Sequence, residues 1–146
     1  MRFAAVAATA LVFAGTAAAR APVSAARGRA LFTGKEPLVG RVRDHRSDLP
    51  AAVVVCRGCH GNGVVAPGAP PAPAPAPAID RALLLEARPR RGGPPSAYDL
   101  PAFCRLLRTG VDPAYVLVAR EMPVFDVDDA RCESLWRFVT AEGRAR

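Results

Sequence analysis

Cys56-Arg57-Gly58-Cys59-His60 places two thiols three residues apart and an imidazole directly after the second. Two thiols at this spacing can add across the two vinyl groups of one haem and hold it by thioether bonds. The next residue then lies beneath the ring, where the His60 imidazole can bind the iron as proximal ligand. The motif therefore reads as a c-type haem attachment site, with Cys56 and Cys59 as covalent anchors. A haem fixed in this way is hard to lose and is suited to moving electrons. Two other chemistries use Cys-x-x-Cys. A thioredoxin-like redox pair needs strands in a βαβ pattern, and a zinc site needs a second compact ligand pair. The sequence shows neither.

The opposite face of the iron needs its own ligand. Met122 is the only methionine besides Met1, and His45 is the only histidine besides His60. A neutral thioether favours reduced iron and raises the potential, whereas a second imidazole lowers it. Pro123 biases Met122 toward an extended backbone, which suits a side chain pointing from a loop at a metal. Met122 is the preferred sixth ligand. His45 and an open or water-bound position are the alternatives.

The N-terminus bears on the compartment. Arg2 is followed by an apolar run from Phe3 to Gly15 and then by Ala17-Ala18-Ala19. This is the layout of a secretory signal peptide over residues 1–19. The run is short and Ala-rich for a membrane span, and an uncleaved anchor is the alternative. Residues 20–146 make one domain by length. Export fits the attachment chemistry and implies a bacterial periplasmic protein, soluble or loosely membrane-associated. The formal net charge is +7, and Lys35 is the sole lysine. Such arginine usage points to a GC-rich genome. The arginines are scattered rather than set on one helix, which argues against nucleic acid. A basic face can steer docking to an acidic redox partner.

The elements that would position these residues are helical. Ser24 to Gly34 has a cap and a stop. Lys35 to Pro50 reads as a loop, and Ala51 to Val55 as the helical turn leading into the motif. Residues 67–78 form a Pro/Ala-rich loop that favours an extended polyproline conformation. Asp80 to Ala87 is a short helix, followed by a loop from Arg88 to Ser96. From Asp99 to Thr109, Leu100, Phe103, Cys104 and Leu107 share one face. Asp112-Pro113 starts a further turn or two of helix, and Glu121 to Asp126 is a loop around Met122. In the last helix Asp128 is the cap, Val127 and Cys132 form a staple, and Cys132, Leu135, Trp136 and Val139 share a face. No alternating strand pattern of useful length appears, so the fold class expected is all-α with long loops. Aromatic residues make up 6% of the chain, so small aliphatic side chains must do much of the covering of a flat macrocycle.

These features together resemble the class I monohaem cytochromes c, over most of residues 20–146. The matching elements are a helix with Gly28 and Phe32, the Cys56–Gly61 motif, Thr109-Gly110-Val111-Asp112-Pro113, Met122-Pro123-Val124-Phe125, and a last helix with Leu135-Trp136-Arg137-Phe138-Val139. The resemblance implies a small helical domain around one covalent haem c, with His60 and Met122 as axial ligands. It implies that the first and last helices cross, with Gly28 and Phe32 meeting Leu135 and Phe138. It also implies single-electron transfer between redox partners, without substrate chemistry, alone or as the cytochrome subunit of an oxidoreductase. The stretch from Thr33 to Val55 is longer than in small members of that family. A haem-based enzyme or gas-binding sensor with an open distal site is the alternative.

Cys104 and Cys132 remain. In an oxidising compartment a disulfide between them is the natural reading, with two buried free thiols as the alternative. The bridge would close a loop containing Met122. Arg90, Arg91 and Tyr98 are candidate contacts for the haem propionates, or else solvated loop residues. No catalytic triad, phosphate-cradling glycine loop or paired carboxylates are present. Asp126, Asp128 and Asp129 cluster at a helix start, where capping and the helix dipole account for them.

Overall fold

Four short polar side chains set where helices begin. Ser24, Asp80, Asp99 and Asp128 each accept a hydrogen bond from the backbone N–H three residues on, at Arg27, Leu83, Ala102 and Arg131. Each satisfies one of the donors that a first helical turn leaves without a partner. The computed structural model describes residues 21–61 and 76–142. The expected signal peptide and most of the Pro/Ala tract lie outside them. In chain order the elements are α1 (Ala25–Phe32), β1 (Val39–Arg41), a 3-10 turn (Ala51–Val53), α2 (Cys56–His60), α3 (Arg81–Leu85), α4 (Leu100–Thr109), β2 (Val124–Asp126) and α5 (Asp129–Val139). α4 stops at Gly110, whose φ of +74° is left-handed and therefore suits glycine. No helix among the described residues is long and apolar enough to cross a membrane.

The all-α expectation is overturned by a small antiparallel sheet. β1 and β2 pair with Val39 opposite Asp126, Gly40 opposite Phe125 and Arg41 opposite Val124. The expected loops over Lys35–Pro50 and Glu121–Asp126 thus each contain a strand. Three-residue strands are too short to show a period of two. Their partners come from opposite ends of the chain, so no hairpin turn announces them. The helical turn expected after Asp112-Pro113 is also absent. Asp112 is buried, its carboxylate accepts from the Val116 N–H, and its carbonyl accepts from the Tyr115 N–H. Tyr115 takes a left-handed φ of +61°, and a tight turn results.

The core forms where α1 crosses α5. A Cβ on Gly28 would overlap the Ser134 carbonyl and press on the Phe138 Cβ, so glycine sets the closeness of this crossing. The Phe32 and Phe138 rings meet with centroids 5.4 Å apart. Leu135 is buried in the same cluster, with Leu31 and Val139. Ser134 is fully buried; its hydroxyl donates to the Ala130 carbonyl and accepts from the Ser24 N–H. Glu36 adds a charged tie. It accepts from Arg27 of α1 and lies 3.3 Å from Arg131 Nε of α5. The Arg27 hydrogen bonds hold its carboxyl below the usual carboxylate range.

α4 joins this pair covalently. Cys104 and Cys132 form a disulfide, with Cα atoms 5.8 Å apart, and the loop they close contains Met122. The Phe103 and Trp136 rings pack beside it at 5.4 Å. Replacing both cysteines with alanine should lower the unfolding free energy by about 3–4 kcal/mol, on the chain-entropy account of a loop this size. A urea melt measures this. An unchanged midpoint would show that the bridge adds nothing that packing does not already supply.

Candidate functional site

Cys56 to His60 is one turn of α-helix, so Cys56, Cys59 and His60 lie on one face at i, i+3 and i+4. The turn has no side-chain cap at Val55 and is held instead by packing on both sides. Val54 is buried, and Val55 fills the space over Gly34, where a Cβ would come within 2.8 Å of it. Gly61 closes the turn by donating to the Arg57 carbonyl, and a Cβ at Gly61 would press on that same oxygen. Among the described residues nothing lies within 4 Å of a Cβ built on Gly58.

The three reactive side chains differ in setting. Cys56 is half-buried and packs against the core cluster; Cys59 is exposed. Burial pushes the Cys56 thiol up to about 11, aided by the charge of Cys59 and opposed by a backbone hydrogen bond. The His60 ring lies with Nδ1 2.9 Å from the carbonyl oxygen of Pro77. A carbonyl can only accept, so Nδ1 carries a proton and donates it to Pro77. This is the arrangement by which a metal-binding imidazole is fixed in tautomer and orientation.

Met122 is half-buried and borders the same apolar cluster as Cys56. Its N–H closes a turn onto the Ala119 carbonyl. After Pro123, the buried Val124 and Phe125 anchor the chain in β2. The thioether is thus carried between a turn and a strand, both held in place.

The other named residues fall elsewhere. His45 is exposed, and its Nε2 accepts from Arg120 Nη2 at 3.0 Å. Arg90 and Tyr98 do come together, with the guanidinium 4.8 Å from the ring centre. The donors of Arg90, however, serve the carbonyls of Leu83 and Ser96, so it braces its own loop. Desolvation pushes the Tyr98 phenol up. Arg91 is exposed in a left-handed conformation, φ +47°. A shallow groove of about 510 Å³ at the start of α5 is lined by Val23, Arg108, Val127, Asp128, Asp129, Ala130 and Glu133 and touches none of these residues.

Sequence reasoning did not single out Pro77, whose carbonyl orients His60, or residues 39–44, which contact the Met122 loop, and it named His45 only as an alternative ligand. For Pro77 the only available signal was its place at the end of the Pro/Ala tract. For residues 39–44 it was the unusual length of the Thr33–Val55 stretch.

Comparison with protein-family models, curated proteins and solved structures returns no match. The functional reading therefore rests on these residues and their geometry. Whether they fit a haem can be asked of the donors directly. The two thiols lie on one face of a single turn, one against the core and one at the surface. The adjacent imidazole is oriented through Nδ1, and a thioether sits on a braced segment beside the same cluster. Thiols for the porphyrin edge, and a neutral nitrogen and a neutral sulfur for the iron, are the donor types that such a group takes.

Proposed function

We propose that this chain is an exported monohaem c-type cytochrome that carries single electrons between redox partners. Cys56 and Cys59 would hold the haem covalently, and His60 and Met122 would bind its iron. Haem bound there supplies a one-electron ferric–ferrous couple. The protein's part is to keep both axial donors in place and to shield the site from water. His60 is oriented by Pro77, which also makes the imidazole a better donor. Met122, as a neutral sulfur ligand, favours the reduced state. The observation that carries the reading is the His60 Nδ1–H donating to the Pro77 carbonyl, directly after a Cys-x-x-Cys pair.

The periplasmic location, and an acidic face on the partner, are part of the proposal. They follow from the leader-like N-terminus and the net charge of +7. The open-site enzyme or sensor finds no support in His45, which is exposed and engaged with Arg120.

The test is production of the full chain in a host that exports it and attaches haem. The haem should stay with the polypeptide through denaturation and organic extraction. Both oxidation states should give six-coordinate low-spin spectra, and a redox titration should take up one electron per chain. Extraction of the haem into solvent would overturn the reading.

A further inference from the structure

Residues 39–45 touch the Met122 segment on both of its sides. Ahead of Met122, Arg43 Nη2 donates to the Val118 carbonyl at 3.2 Å, and Arg120 Nη2 donates to His45 Nε2 at 3.0 Å. Behind Met122, β1 pairs with β2 from Val124 to Asp126. The same strand reaches the haem motif. A Cβ built on Gly40 would lie 3.1 Å from Val54, on the approach to Cys56, and 3.2 Å from Phe125. The Arg43 guanidinium lies over Gly110, where a Cβ would come within 2.6 Å of Nη1. Gly110 in turn accepts from the Val118 N–H. A side chain at 110 would therefore push Arg43 off the loop that it holds.

We infer that residues 39–45 are a brace that positions Met122, with Arg43 and His45 as positioning residues. Bracing of the loop stands on the contacts above. Its effect on the iron rests on the reading of Met122 as a ligand. A thioether is a neutral donor, and its bond to iron competes with any small ligand that reaches the metal once the loop swings out. Holding the chain at 118–120 and again at 124–126 leaves little freedom for that swing.

The experiment uses the haem-loaded chain carrying Arg43→Ala and His45→Ala together, with Arg46→Ala as a control in the same segment. Amide hydrogen exchange is followed over residues 118–126, and imidazole is titrated into the ferric protein. Losing two hydrogen bonds should speed exchange there about tenfold and make displacement of Met122 about tenfold easier. Exchange in α5 and the spectrum without imidazole should stay as they are. Arg46→Ala should change neither readout. If the double variant does not fold, Arg43→Lys is read in the same way, since lysine keeps the charge but not the guanidinium fork. Wild-type exchange over 118–126 overturns the brace. Faster exchange with unchanged imidazole binding overturns its action on the ligand. A wild-type spectrum indifferent to Met122→Ala would instead refute the ligand reading, while the exchange data would still decide the brace.

Discussion

Replacing Cys56 and Cys59 together with alanine will leave no haem attached after denaturation, and each single replacement will leave one thioether. The two singles should not be equal. Cys59 is exposed, whereas Cys56 packs against the core, and burial pushes its thiol up to about 11. The thiolate is the nucleophile. In the folded, haem-free chain Cys56 should therefore react with a maleimide about tenfold more slowly at neutral pH than a thiol at the ordinary value of 9.0, since its scarcer thiolate is also the stronger nucleophile. Equal labelling of the two cysteines would show that Cys56 is not shielded. Folding also raises the affinity of Cys56 for its proton. The stability that this contributes is fully present below pH 9.0 and is lost as the pH climbs toward about 11. The loss should be on the order of 2 kcal/mol in the haem-free protein, and Cys56→Ala should remove that pH dependence.

Met122→Ala should take the ferric haem out of its six-coordinate low-spin state and let the ferrous protein bind carbon monoxide at once. The potential should fall, because the neutral sulfur that favours reduced iron is gone. A drop of a few tenths of a volt is expected, within the range of about 0.8 V over which axial ligands act. The fold should survive. Met122 is only half-buried, so truncation should cost about 2 kcal/mol, the low end for such a change. Met122→His serves as the companion variant: it should restore a low-spin spectrum at a lower potential than wild type. An alanine variant with the wild-type spectrum and potential would mean that another group binds the iron.

The helices were legible because short-range chemistry defines them. Ser24 and Asp128 act as the caps that their positions suggested, Asp99 caps α4, and Gly110 ends it in the left-handed conformation. On the two shared faces Phe103, Cys104, Leu107, Cys132, Leu135 and Val139 are buried, and Leu100 and Trp136 partly so. The sheet was not legible, since pairing between Gly40 and Phe125 is a tertiary event with no local trace. Asp112-Pro113 misled for a related reason: a buried carboxylate that caps a turn looks, in sequence, like one that caps a helix. At the candidate site the donors were legible by type and spacing. What orients them was not. Pro77 meets His60 through a backbone carbonyl and Arg43 reaches Val118 across the fold, and neither leaves a motif.

The crossing of α1 and α5 constrains the order in which this chain can fold. Gly28 is fitted to the backbone at Ser134, and the Ser24 N–H is paired with a hydroxyl 110 positions away. The first helix therefore lacks its main packing partner until the last one has been made. A chain entering a new compartment N-terminus first would present Cys56 to His60 while Leu31 and Phe32 were still bare. The α1–α5 core cannot close before α5 is made, so the cysteine pair is reached before the core that half-buries Cys56 is complete.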